Sequence, residues 1–220
     1  VIFVDCTLGM GGHSQVISQT LDSTDTLIGM DKDVEAIKRC QDLLQQAECK
    51  VQLVHQGFEE IEPFMEENAL EGADYYFFDL GFSSPQVDRA ERGFSFMRDG
   101  VLDMRMDRRQ PLTAKDILAT WSATQLADIF KKYGDERFSR RIANAIVKRR
   151  ELEPVETTQE LADTILQAIP AKYQHQEGIH PATRVFQALR IAVNDELGAL
   201  ERGLQAALDF LNPGGRIGVL

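Results

Sequence analysis

Through its first 80 positions the chain alternates short apolar runs with longer stretches in which apolar residues recur every three or four places. Ile2-Phe3-Val4, Leu27-Ile28, Val51-Gln52-Leu53-Val54 and Tyr75-Tyr76-Phe77-Phe78 are brief, rich in β-branched or aromatic residues, and closed by polar ones. They predict strands over residues 2–5, 26–31, 51–55 and 75–80, with helices over 14–21, 34–46 and 59–68 between them. Repeated strand–helix units imply a parallel sheet covered by helices on both faces. In such sheets ligands collect at the carboxyl ends of the strands. Asp5, Asp31, His55 with Gly57 and Phe58, and Asp79 all stand at those ends, so four turns are expected to converge on one crevice.

Beyond Leu80 the periodicity stops. Residues 81–111 are rich in Gly, Ser, Pro, Arg and Asp, the pattern of a long ordered loop, and loops of that length are usually functional. Only helices follow. Ser122-x-x-Gln125 and Thr157-x-x-Glu160 are capping boxes that open helices over 123–133 and 159–168, and Gly134 is placed to close the first. A basic helix over 136–150 lies between them. Pro181 opens a further helical stretch over 182–211, which runs through Asn212-Pro213-Gly214-Gly215 into a fifth strand. The expected organisation is an α/β parallel-sheet domain, 1–107 and 179–220, interrupted by a small all-helical domain at 108–178. Repeats and low-complexity tracts are absent.

The first strand breaks at Asp5 into Cys6-Thr7-Leu8-Gly9-Met10-Gly11-Gly12-His13. Glycines there let the backbone turn tightly and approach a ligand, and the start of the next helix offers unpaired N–H groups. A dinucleotide fingerprint needs a third glycine where Ser14 stands. The acidic residue four positions before Gly9 is instead the arrangement of S-adenosylmethionine sites, since a carboxylate there repels a pyrophosphate and suits an ammonium group. Asp31, ending the second strand, is placed to accept from a ribose diol. A glycine turn that merely caps a helix would need one glycine rather than three.

At 220 residues and 43% apolar content the chain can bury a full core. No apolar run approaches 18 residues and no charged segment leads an apolar one at the start, so neither a membrane span nor a secretory signal is expected. Cys6, Cys40 and Cys49 are odd in number and lack C-x-x-C spacing. They read as small core residues in a reducing compartment, with the cytoplasm the expected location. His55, His175 and His180 have no metal-ligand spacing, and no metal is expected. The net charge is −11, yet residues 89–150 carry 15 Lys and Arg against 8 Asp and Glu. A basic stretch on an acidic body can hold RNA locally, and a solvated helical surface is the plain alternative.

Several longer motifs carry a resemblance. Asp79-Leu80-Gly81-Phe82-Ser83-Ser84-Pro85-Gln86, Glu91-Arg92-Gly93-Phe94-Ser95-Phe96 and Leu102-Asp103-Met104-Arg105-Met106-Asp107 are similar to the bacterial S-adenosylmethionine-dependent small-subunit (16S) rRNA cytosine-N4 methyltransferases. So are Tyr133-Gly134-Asp135-Glu136-Arg137-Phe138 and His180-Pro181-Ala182-Thr183-Arg184-Val185-Phe186-Gln187-Ala188-Leu189-Arg190. The likeness covers nearly the whole chain, and a mitochondrial branch of the family leaves that location open. It implies a class I, Rossmann-like methyltransferase sheet with an inserted helical substrate domain. It places the cofactor against Gly11, Gly12, His13, Asp31, Phe58, Asp79 and Gln86.

Cytosine's exocyclic amine is a poor nucleophile, so such an enzyme must align it with the sulfonium methyl and exclude water. Asp79 can accept from the amine, turn its lone pair toward the methyl and take the proton late. Ser83, Ser84 and Pro85 stand where amino-methyltransferases commonly carry D/N-P-P-Y/F, without its aromatic. Phe82, Phe94 or Phe96 could stack on the base instead, with core packing the alternative for the last two. Arg92, Arg98, Arg105 and Arg137 are candidates for phosphate contacts, against salt bridges to neighbouring aspartates. The partner implied is small-subunit rRNA within an assembled or late-assembly ribosomal subunit; a homodimer is compatible and no membrane is involved. Both ends of the sequence look cut. The resembled family begins some 20 residues earlier and continues into an S-F-H-S-L-E-D segment, so residues 1–220 alone are expected to bind cofactor weakly and methylate poorly. A nicotinamide oxidoreductase would leave Asp5, the 83–86 turn and the basic stretch unexplained, and a non-catalytic RNA-binding protein should keep its function without Asp79.

Overall fold

The computed structural model describes residues 1–174 and 180–220; His175 lies outside them. The chain folds as two compact units, Val1–Ser83 with Glu196–Leu220, and Ser84–Asp195.

The first unit is the parallel sheet that the spacing predicts. Strands β1 (Ile2–Asp5), β2 (Thr26–Met30), β3 (Lys50–Val54), β4 (Ala73–Phe78) and β5 (Leu211–Val219) lie in the order β3-β2-β1-β4-β5, and every pairing is parallel. Chain order reverses between β1 and β4, which is where such sheets open a crevice. Alternation along the strands feeds two cores. Val4, Ile28, Met30, Tyr76 and Phe78 face helices α3 (Ile61–Glu67) and α10 (Glu196–Asp209) through Ile61, Phe64, Met65, Ala206 and Ala207. On the other face, Leu8, Leu27, Cys40, Leu44 and Cys49 pack beneath α1 (Gly12–Ser18) and α2 (Val34–Leu43). The Asn212-Pro213-Gly214-Gly215 segment, expected as a turn before the fifth strand, lies inside β5. It is absorbed there by a shift of register between the Ala73 and Tyr75 pairings, with Gly214 at φ 85°.

The second unit is helical: α4 (Ser84–Asp88), α5 (Ala114–Thr120), α6 (Ala123–Gly134), α7 (Ser139–Arg150), α8 (Thr158–Ala168) and α9 (Ala182–Asn194). The capping boxes at Ser122 and Thr157 form, and a third opens α5 at Thr113 with Asp116. Phe130, Ile142, Ile146, Leu161, Ile165 and Leu189 are fully buried at its centre. This unit is wider than the 108–178 segment because Leu102 and Met104 from the preceding loop are buried in the same core. The loop is pinned further by a backbone bridge between Val101 and Thr157.

The single helix expected over 182–211 is broken. Asp195 sits in the left-handed region at φ 47°, ending α9 before α10 begins. Asn194, 4% exposed, donates to the carbonyls of Met104 and Arg190 at 2.8 Å each and accepts from Met106 N–H at 2.7 Å.

Candidate active site

In the sheet register Asp5 sits opposite both Gly29 of β2 and Phe77 of β4, so the turns after these three strands leave the sheet side by side. Asp5 is fully buried. One carboxylate oxygen accepts from Thr7 N–H at 3.1 Å and the other from Ser14 Oγ at 2.5 Å. Burial pushes its carboxyl above the usual range, against the pull of those two bonds. The ammonium partner expected for Asp5 is therefore replaced by the protein's own donors: the carboxylate ties the turn to α1. Ser14→Ala is expected to cost about 1–3 kcal/mol by leaving a buried carboxylate oxygen unsatisfied, read as a lowered urea midpoint.

The glycine turn is shaped by Gly11, at φ 81°, where an added Cβ would lie 2.7 Å from Leu43 Cδ2 and 2.8 Å from Cys40 Sγ. Any side chain would push the turn off α2. Gly9 N–H donates to Asp31 Oδ2 and Asp33 N–H to Asp31 Oδ1, each at 2.8 Å. Asp31 thus joins the first two turns, and its desolvated setting raises its carboxyl to about 6 despite both bonds. Where a Cβ on Gly9 or Gly12 would project there is no atom within 4 Å, so the turn presents open space beside Asp31.

Asp79 follows β4. Its N–H donates to Thr7 Oγ1 at 2.7 Å, which closes the gap between β1 and β4 at the topological switch. Its carboxylate, 46% exposed, stands 3.3 Å from His13 Nε2, and the His13 ring leans on Phe77 with centroids 4.9 Å apart. The imidazole, and not only the backbone of His13, faces Asp79. Phe58 opens the short 3-10 helix Phe58–Glu60; its ring meets Phe78 edge-on at 5.5 Å, and α10 approaches it closely at Gly203. Lys32 Nζ lies 5.6 Å over the Phe58 ring and pairs with Glu59 at 2.7 Å, while His55 Nε2 donates to the Lys32 carbonyl at 2.9 Å. Gly57 admits this pair, since a Cβ there would lie 2.3 Å from both Glu59 Oε2 and Lys32 Cε. The sequence gives no signal for the roles of Thr7, Ser14 and the Lys32–Glu59 pair, because each depends on contacts between separate turns.

Ser83 ends the segment of the first unit. Ser84, Pro85 and Gln86 form the first turn of α4 in the second, with Gln86 buried. Of the candidate aromatics Phe82 is 53% exposed, whereas Phe96 packs edge-on against Phe186 at 5.0 Å. The four candidate arginines separate clearly. Arg92, expected at a phosphate, is 2% exposed and donates to the carbonyls of Arg105 and Met106, so a phosphate has no access to it. Arg105 grips Asp103 through Nε at 2.8 Å and a second nitrogen at 2.9 Å, and also donates to the carbonyls of Arg108 and Gln110; the salt-bridge alternative describes it. Arg98 is exposed, donating to the Asp88 carbonyl at 3.2 Å. Arg137 is exposed and lies over the rings of Phe138 and Tyr173 at 4.7 and 4.4 Å.

No described helix is long and apolar enough to cross a membrane. Among solved structures, a Clostridium thermocellum protein provisionally assigned as an rRNA-methylase is similar over 37% of this chain and 43% of its own, at 20% identity and a TM-score of 0.33. That likeness is too partial to argue from. The sequence model of the MraW methylase family matches residues 1–220, the whole of the sequence whose motifs and sheet are described above. The chain belongs to the MraW methylase family, the 16S rRNA cytosine-N4 methyltransferases.

Proposed function

We propose that the protein transfers a methyl group from S-adenosylmethionine to the N4 amine of a cytidine in small-subunit rRNA. The observation that carries this reading is the meeting of three turns at the switch of the sheet, where Gly9 is bonded to Asp31, Thr7 to Asp79, and the Asp79 carboxylate faces His13 Nε2 at 3.3 Å. The open space beside the glycine turn and the part-buried carboxylate of Asp31 fit a nucleoside with a polar tail. The cofactor supplies an electrophilic methyl group. Gly11, Gly12 and His13 would line its tail, Asp31 would accept from its ribose, and Phe58 would lie beside its adenine; Gln86 remains a candidate contact by resemblance. Asp79 would accept from the cytosine amine, orient its lone pair and receive its proton, with its carboxylate held 3.3 Å from His13 Nε2. Positioning supplies most of the rate, since effective molarities of well-held reactants are large. Ser83, Ser84, Pro85, Arg98 and Arg137 remain candidates for the RNA.

The test gives the full-length protein methyl-labelled S-adenosylmethionine and unmodified small ribosomal subunits, followed by nucleoside mass spectrometry. N4-methylcytidine is expected. Label on another nucleoside, or none on particles or naked RNA, would overturn the substrate.

Asp31 gives the cofactor reading a pH signature. An ionised carboxylate accepts from ribose hydroxyls, whereas a protonated one competes as a donor. Affinity for S-adenosylhomocysteine, measured by isothermal titration, should be flat above about pH 7 and fall as pH drops through about 6. The linked stability runs the other way. With the folded pKa raised above the unfolded one, Asp31 stabilises the unliganded fold below about pH 4 and loses that contribution as pH rises through about 6.

A further inference from the structure

At the carboxyl end of β4 the hydrogen-bond ladder is finished differently on its two sides. Toward β5 it closes on main chain: Leu220 N–H donates to the Phe78 carbonyl at 2.9 Å, and Leu80 N–H donates to the Leu220 carbonyl at 3.1 Å. Toward β1, Cys6 N–H donates to the Phe77 carbonyl at 2.8 Å. The next donor of β4 on that side is Asp79 N–H, because successive residues of a strand pair with alternate neighbours. By then β1 has left the sheet for the glycine turn. The acceptor is a side chain, Thr7 Oγ1, 2.7 Å from Asp79 N.

That hydroxyl is itself held in place. Thr7 N–H donates to one oxygen of Asp5 at 3.1 Å, and the other oxygen of Asp5 accepts from Ser14 Oγ in α1. Asp5 is fully buried, so it is withdrawn from any ligand and serves as a fixed seat for Thr7. Branching at Cβ restricts the rotamer of Thr7, and a seated backbone therefore also aims the hydroxyl. Asp79 needs such an anchor. Its carboxylate is 46% exposed and meets His13 Nε2 at 3.3 Å, and a side chain so exposed takes its place from its backbone rather than from packing.

We propose that Thr7 is a positioning residue for methyl transfer: its hydroxyl fixes the main chain of Asp79, and through it the carboxylate that orients the target amine. The inference rests on the role given to Asp79 above. In this role Thr7 touches neither reactant. It holds Asp79 to the geometry of reaction, from which a displacement of about 1 Å costs on the order of 100-fold in rate.

Thr7→Val tests this, since it keeps the size and branching of the side chain and removes the acceptor. In the full-length protein, single-turnover transfer from labelled S-adenosylmethionine to unmodified small ribosomal subunits should fall about 10–100-fold. Affinity for S-adenosylhomocysteine should stay close to the parent's, and the melting temperature within about 2–4 °C, because water can take up the freed N–H of an exposed residue. Thr7→Ser restores the acceptor and should recover most of the rate. The decisive comparison is made in an Asp79→Ala background. There Thr7→Val should cost less than about a further twofold, as a residue that acts only through the Asp79 carboxylate has nothing left to position. A parent-like rate in Thr7→Val, a loss matched by cofactor affinity, a loss that Thr7→Ser does not recover, or a penalty that persists in full without the Asp79 carboxylate would each overturn the proposal and leave methyl transfer standing. If Asp79→Ala alone keeps the parent rate, or the parent transfers nothing, the reading of Asp79 falls and Thr7 falls with it.

Discussion

Asp79→Ala is expected to lower the rate of methyl transfer by about 10²–10⁴-fold while the end of β4 keeps its fold. The two effects separate because Asp79 is tied into the protein by its backbone. Its N–H donates to Thr7 Oγ1 at 2.7 Å, a bond that the substitution leaves in place, and its carboxylate is 46% exposed, so no cavity forms. What disappears is the acceptor facing His13 Nε2 at 3.3 Å, which under the proposed mechanism orients the amine and takes its proton. Single-turnover transfer with labelled cofactor, set beside equilibrium binding of S-adenosylhomocysteine, checks this. A rate that falls only in step with cofactor affinity would make Asp79 a binding residue, and an unchanged rate would remove it from the site.

The largest effect on stability is expected at Gly134. It ends α6 with an added Cβ only 2.4 Å from the carbonyl oxygen of Arg184 and 3.0 Å from its carbonyl carbon. Both are backbone atoms of α9, so the helices must separate to admit even a methyl group. Gly134→Ala gains about 1 kcal/mol in helix propensity and still should lose about 2–3 kcal/mol net, or roughly 5–10 °C in the melting temperature of a chain this size. If Gly134 only terminated its helix, the penalty would belong to a left-handed conformation. The residue in that conformation is Asp135, at φ 48°. Its ion pair with Lys131, at 3.0 Å, is highly exposed and contributes little. Asp135→Gly should therefore leave stability within about 1 kcal/mol of the parent. Calorimetry on both variants decides between close packing and capping.

That pair of residues shows how far local pattern reaches. The sequence placed a glycine at the end of α6, and the helix ends there, but whether glycine serves as a cap or as a gap for another helix depends on α9, 50 residues away. Asn194 is similar: nothing in the even periodicity of 182–211 marks a break, because the break is set by bonds from Asn194 to Met104 and Met106. Arg92 and Arg105 looked alike as cations in a polar loop. Burial made one a clamp on carbonyls, and Asp103 claimed the other.

Local sequence was enough for the parallel α/β sheet, the capping boxes, the glycine turn and the acidic residues at three strand ends, because strand periodicity, cap chemistry and backbone sterics act over a few neighbouring residues. What those residues do was left to tertiary packing. It turned Asp5 inward to Ser14, joined Gly9 to Asp31 and Thr7 to Asp79, and aimed His13 at Asp79. Each of these is a contact between elements far apart in the chain, fixed by strand order and helix packing.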